Sequence, residues 1–253
     1  MPAPRNELKA AMAEGRMLRG LFLALGSEPL TEIAGQAGFD WCLVDGEHAP
    51  FDPAMIRRQI VTLGLTGTPA VVRVPTNEDW VLKQVLDLGV QTVMVPMVNS
   101  AAEAEAAVRA CRYPPEGIRG DGGWTMRSGG FGAIERYAST ANDEICVIVQ
   151  AETRAALGDL AAIAAVDGVD CVFFGPADLA ADMGYRDDPL APAFWDEIRR
   201  GVGVIRDAGK AAGIFAAPQM NAAMVEAGVT FLSLGSDAAL ATSTLGALAR
   251  SGT

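Results

Sequence analysis

The chain has 253 residues, half of them apolar and a fifth charged, with its glycines and prolines scattered rather than clustered; this excludes a disordered, collagenous or low-complexity protein. A formal charge of -11 with no basic block argues against a nucleic-acid or membrane-surface partner. Cys42, Cys111, Cys146 and Cys171 lack the paired spacing of a zinc site and read as small buried hydrophobes in a reducing compartment; with no secretory h-region and no apolar stretch of spanning length, a cytoplasmic protein is expected.

Leu8 and Met12, four apart, predict a helix over 6–15, and the apolar run 18–25, ended by Gly26 and Ser27, predicts a strand. Helical spacing returns over 28–36. The next run, Phe39 to Val44, gives way to Asp45-Gly46-Glu47-His48, which holds the only histidine of the chain. An imidazole within three residues of a carboxylate suits proton transfer near neutral pH. A solvated histidine in a polar loop is the plainer reading, and the residues alone leave both open.

Asp52-Pro53 signals the start of a helix over 52–63. A short, nearly all-apolar strand follows at 69–75, interrupted by Arg73. A helix over 77–88 has Asn77 as its expected cap, 91–95 is a strand, and 100–111 is an alanine-rich helix with Glu103 in the capping-box position. Residues 112–132 are rich in Gly, Pro and Arg, have no period, and are long for a compact domain, which marks a functional or interface loop. A short helix is expected over 131–141, then strand 144–149, helix 153–165, strand 169–174, helix 189–208, strand 213–216, helix 220–227, strand 230–234 and a last helix over 238–249.

Eight short apolar strands, each leading towards a helix, fit a (β/α)8 TIM barrel, one domain over 1–253 with an additional N-terminal helix. A doubly wound open sheet is disfavoured because no Gly-x-Gly-x-x-Gly follows the first strand. Four helix-to-strand junctions echo one another through Gly38, Gly89, Gly168 and Gly228, each placed where a helix should end.

In such a barrel the C-terminal strand ends share one face, and active sites form there. Those ends carry Asp45, Glu47 and His48, then Arg73, Gln150 and Glu152, Gly175-Pro176-Ala177-Asp178, and Ser236-Asp237. Glu152 and Asp178 end consecutive strands: two such carboxylates share a proton, bind a hard cation such as Mg²⁺ or Mn²⁺, or merely cap the helices that follow. Arg73 would clamp a carboxylate or a developing oxyanion, or serve a structural ion pair. Asp45 would orient His48 as a base. Lys9, Lys83 and Lys210 are the only lysines, and none ends a strand, so a Schiff-base mechanism is disfavoured.

Several motifs resemble the HpcH/HpaI aldolase family, the metal-dependent (class II) pyruvate aldolases. They are Phe39-Asp40-Trp41 with Asp45-Gly46-Glu47-His48-Ala49-Pro50, Val72-Arg73-Val74-Pro75, Val93 to Val98, Arg112 to Gly120, Gln150-Ala151-Glu152, Phe174-Gly175-Pro176-Ala177-Asp178-Leu179 and Leu234-Gly235-Ser236-Asp237. The resemblance implies Glu152 and Asp178 as ligands of Mg²⁺, Mn²⁺ or Co²⁺, Arg73 steadying an enolate oxygen, and His48 with Asp45 as the base. It implies that Gln150 and the backbone around Gly175, Pro176 and Ala177 hold the pyruvate carboxylate. It further implies small-molecule substrates, pyruvate and an aldehyde, and a homohexamer whose last helix is exchanged between subunits. The segment Asp121 to Gly130 is more glycine-rich than the family pattern and is expected where a neighbouring subunit or the acceptor aldehyde is touched. Two further readings stand beside the aldolase: an acyl-thioester lyase of the citrate-lyase type, and a non-catalytic sugar-acid-binding protein.

Overall fold

The computed structural model describes residues 1–50 and 52–251; of the expected 1–253 span, Phe51, Gly252 and Thr253 lie outside the described residues. Eight parallel strands close into a barrel in sequence order: β1 (Leu18–Leu23), β2 (Trp41–Asp45), β3 (Ala70–Arg73), β4 (Thr92–Val95), β5 (Cys146–Ala151), β6 (Cys171–Phe174), β7 (Ala211–Ile214) and β8 (Phe231–Ser236). Most strands are buried on both faces, which is why they read as continuous apolar runs. Leu21, Val44, Val72, Val93, Val149 and Val172 pack outward under the helices, while Phe22, Leu43, Val71, Ile148, Phe173 and Phe231 fill the interior. The Trp41 indole lies across Gly20, where a Cβ would stand 2.0 Å from the ring, and stacks on Phe231 at 4.2 Å.

The helices are α1 (Glu7–Ala13), α2 (Glu28–Gln36), α3 (Pro53–Thr66), α4 (Asp79–Asp87), α5 (Ala101–Cys111), α6 (Tyr137–Thr140), α7 (Arg154–Gly158), α8 (Leu160–Ala165), α9 (Pro176–Met183), α10 (Pro192–Asp207), α11 (Asn221–Ala227) and α12 (Asp237–Ser251). Ser27, Asp52 and Ser100 cap α2, α3 and α5 through their side chains, Asp52 as expected. The four junction glycines all take left-handed backbone.

Three expectations change. Glu78, not Asn77, holds the N-cap position of α4, while the Asn77 amide reaches across to the Glu103 carbonyl. The helix expected over 131–141 is a 3-10 turn followed by the short α6, because Gly130, Phe131 and Gly132 in succession have φ of 62°, 55° and 90°, which no right-handed helix accepts. The helix over 153–165 breaks at Asp159, whose carboxylate is committed to the Ala101 amide at the head of α5.

One end of the barrel is shut. Leu8, Ala11 and Met12 of α1 join the interior cluster from below. Asn6 caps the helix and its Nδ2 donates to the Gln91 and Glu144 carbonyls and to Thr92 Oγ1, while Lys9 Nζ donates to the Ile145 carbonyl. The long segment between α5 and β5 lies at this same end: the Ser128 amide donates to the Asp87 carbonyl and Arg127 Nη1 to the Leu88 carbonyl. Among the described residues, it is the other end, at the C-termini of the strands, that is open. No helix among the described residues is long and apolar enough to cross a membrane.

Candidate active site

The open end holds a cavity of about 340 Å³ lined by Phe22, Ala24, Asp45, His48, Arg73, Gln150, Glu152, Phe173, Gly175, Pro176, Ala177, Asp178, Phe215 and Ser236. The nine residues to which the family resemblance gives a role therefore meet in one place, while Glu47 and Asp237 do not line the cavity.

Arg73 ends β3 and is almost wholly buried. Its Nε and Nη2 donate to the two oxygens of Asp45 at 2.9 and 2.7 Å, and its Nη1 lies 2.8 Å from Glu47 Oε2. Strand pairing sets this up, because Asp45 and Arg73 are direct partners in the β2–β3 register. Burial works against both charges. It would raise the Asp45 carboxyl, but the Arg73 hydrogen bonds and charge outweigh it and leave Asp45 below its usual range. Burial likewise opposes the guanidinium, and Asp45 and Glu47 keep it firmly charged. The Arg73 guanidinium also sits 5.3 Å from the Phe22 ring centroid.

The expected pairing of Asp45 with the His48 imidazole is not what forms. Asp45 Oδ1 accepts instead from the backbone amides of Glu47 and His48, closing a turn, and gives its remaining capacity to Arg73. The imidazole stands at the mouth, exposed, with Nε2 3.9 Å from Glu47 Oε2. Glu47 is thus the acid that lies between Arg73 and His48.

Glu152 follows β5 and is 2% exposed. Oε1 accepts from Gln150 Nε2 at 2.6 Å and Oε2 from the Met97 amide at 3.2 Å. Thr153, not Glu152, caps α7, and Asp178 makes no capping hydrogen bond in the first turn of α9. The capping alternative for these two carboxylates is removed. Gly175 is required beside them, since a Cβ there would lie 2.0 Å from Glu152 Oε1. Pro176 has no N–H to offer; it sets the first turn of α9, whose next amides, those of Ala177 and Asp178, have no acceptor inside the helix.

The electrostatics favour a cation. Asp45, Glu47, Glu152 and Asp178 gather around a single guanidinium, and burial followed by the Glu47 charge pushes the Glu152 carboxyl up to about 7. Gln150 Oε1 is buried without a hydrogen-bond partner. An all-oxygen donor set with surplus negative charge fits a hard divalent cation. Among the described residues no group of three or more His, Cys, Asp or Glu is arranged to ligate a metal. Of the carboxylates lining the cavity, Asp45 is committed to Arg73, which leaves Glu152 and Asp178 as the pair that could hold such an ion.

The residues that the sequence reading missed are the apolar walls Phe22, Phe173 and Phe215. Phe22 lies two residues from Gly20 on the inward side of β1, and that period-two spacing was the available signal. The segment Asp121 to Gly130 does not line this cavity, contrary to expectation for an aldehyde contact within one chain; it lies at the closed end of the barrel.

The sequence profile described as HpcH/HpaI aldolase/citrate lyase matches residues 18–244. The hydroxypyruvate/pyruvate aldolase of Roseobacter denitrificans is 46% identical over 241 residues, covering 95% of this chain and 94% of that one. The 4-hydroxy-2-oxovalerate aldolase of Rhodococcus jostii is 46% identical over 251 residues, covering 98% and 96%. The crystal structure of an HpcH/HpaI aldolase/citrate lyase family protein from Burkholderia cenocepacia superposes with a TM-score of 0.92 at 37% identity, over 98% of this chain and 100% of that one.

Proposed function

The chain belongs to the HpcH/HpaI aldolase/citrate lyase family, and on that footing we propose that it is a class II pyruvate aldolase, reversibly cleaving a 4-hydroxy-2-oxo acid into pyruvate and an aldehyde. The observation that carries the reading is the pairing of Glu152 and Asp178 beside Arg73 in a cavity that no lysine lines. Without a strand-end amine there is no Schiff base, and the electrons released by carbon–carbon cleavage must be held electrostatically.

Glu152 and Asp178 would hold the divalent cation, Mg²⁺, Mn²⁺ or Co²⁺. When bound there, it supplies Lewis-acid polarisation of the substrate keto oxygen. The other steps belong to the chain. The Ala177 and Asp178 amides at the start of α9, with Gln150, receive the carboxylate of the 2-oxo acid. His48 takes the C4 hydroxyl proton, the C3–C4 bond breaks, and the aldehyde departs. The electron pair passes to the enolate, whose oxygen faces the Arg73 N–H groups not taken up by Asp45 and Glu47. Protonation at C3 gives pyruvate. In this scheme Asp45 is a positioning residue that holds Arg73, and Glu47 is the acid nearest the His48 imidazole.

Relatives named hydroxypyruvate/pyruvate aldolases support hydroxypyruvate as a second nucleophile. A thioester lyase would need cations for the nucleotide portion of its substrate, and Arg73, already paired to two acids, is the only arginine or lysine lining the cavity. We place the protein in the cytoplasm as a homohexamer that exchanges α12. Supporting this, Leu240, Leu245 and Leu248 on α12 are 53%, 65% and 68% exposed, and all four cysteines are free and buried.

Metal-loaded protein incubated with pyruvate in D₂O should exchange the methyl protons, and a chelator should stop the exchange. No exchange with any of Mg²⁺, Mn²⁺ or Co²⁺ would overturn the reading.

A further inference from the structure

Met97, in the turn between β4 and α5, is one of two non-glycine residues with left-handed backbone among the described residues, at φ 54°. Such a conformation persists only where the surroundings over-determine it, and it clusters at functional sites. Here it has a visible product: the Met97 amide points at Glu152 Oε2. Since Gln150 Nε2 donates to Oε1, each oxygen of the carboxylate has one fixed donor.

What holds Met97 is Asn99. Its Nδ2 donates to the Met97 carbonyl at 2.8 Å, and its Oδ1 accepts from the Thr153 hydroxyl. Thr153 is the chain neighbour of Glu152 and also caps α7 by accepting from the Ala156 amide. The Asn99 backbone amide is itself held by Glu103 Oε2, and the Val98 amide donates to the Gln150 carbonyl. One asparagine side chain thus ties together the residue that donates to Glu152 and the residue that follows it.

We propose that Asn99 is a positioning residue for the divalent cation, locking the left-handed Met97 whose amide, with Thr153, fixes the orientation of the Glu152 carboxylate. The proposal rests on the reading of Glu152 as a metal ligand. Partners that orient metal ligands from outside typically govern about 10- to 100-fold in affinity. Met97 contributes through its backbone and not its side chain, so glycine, which adopts this conformation freely, should replace it. Valine, branched at Cβ, should not.

The test is the Mn²⁺ dissociation constant of the full-length, metal-stripped protein, read by competition with a chromophoric chelator, alongside metal-free melting. Asn99→Ala and Asn99→Asp should each weaken Mn²⁺ about 10- to 100-fold while the metal-free protein still melts cooperatively. Met97→Gly should stay near wild type and Met97→Val should fall with the Asn99 variants. Wild-type affinity in both Asn99 variants, or equal losses in Met97→Gly and Met97→Val, would overturn the proposal. If Asn99→Ala does not fold, the Met97 pair decides alone. Glu152→Gln separates the two levels: Mn²⁺ bound equally by it and by wild type overturns the metal site itself. A loss confined to Glu152→Gln overturns only the role of Asn99.

Discussion

Arg73 is asked to be buried, charged and partly unengaged at once, and Asp45 and Glu47 are what make that possible. Five N–H groups in a planar fork allow two to bind Asp45 and one to face Glu47, with two left over. Lysine keeps the charge but not the fork. Arg73→Lys should therefore lower kcat by about 10²- to 10³-fold, the loss typical of one missing oxyanion donor, with a smaller change in KM; steady-state kinetics check it. Breaking a buried pair costs about 3–5 kcal/mol, and Asp45→Asn should approach that at neutral pH. Because the folded Asp45 carboxyl lies below its usual range, its stabilising effect is complete above an unfolded value of about 3.9. That effect fades as the pH falls through the lower folded value. Urea unfolding from neutral pH into acid should show the gap between wild type and Asp45→Asn closing below about pH 4. The place of Arg73 was legible, since an arginine ending an apolar strand must be paired. The partner of Asp45 was not: proximity in sequence suggested His48, whereas strand register delivered Arg73, and register is a tertiary property.

At the scale of elements, the strands were the most legible, because burial on both faces writes them as short apolar runs between glycine-terminated helices. The helix expected over 131–141 failed where Gly130, Phe131 and Gly132 take positive φ, a conformation that residue spacing does not reveal. The placement of the 112–132 segment could have been deduced from order alone. It leaves a helix and enters a strand, so it belongs with the strand N-termini and away from the cavity. The same end holds α1, whose docking depends on Asn6. That residue is 6% exposed, caps the helix, and its amide nitrogen reaches two carbonyls and one hydroxyl. Asn6→Ala leaves those acceptors unmet and should cost about 1–3 kcal/mol in urea unfolding, with kcat per folded molecule unchanged.

The whole molecule shows a barrel whose closure followed from counting eight strand–helix units. Leu240, Leu245 and Leu248 are large apolar residues left uncovered on the last helix. Glutamate at Leu240 and Leu245 together should shift the protein to a smaller species by light scattering on a sizing column. An unchanged mass would remove α12 from the interface. The polar residues that meet in the cavity were legible because four strand ends carry them in sequence. The cavity's apolar walls were not, since Phe22 and Phe173 lie on two separate strands and Phe215 just after a third.

The plug that α1 makes in the barrel has a kinetic corollary. With one end sealed, reactants and products share a single mouth, and depth becomes sequence in time. Glu152, hardly exposed, lies at the back of that passage, and His48, largely exposed, at its entrance. A 2-oxo acid seated against Glu152 is covered by whatever reaches His48 after it. In synthesis the 2-oxo acid must then bind first, and in cleavage the aldehyde must leave before pyruvate can. Initial-rate cleavage with added products should give competitive inhibition by pyruvate and a mixed pattern with the aldehyde, the signature of a compulsory queue.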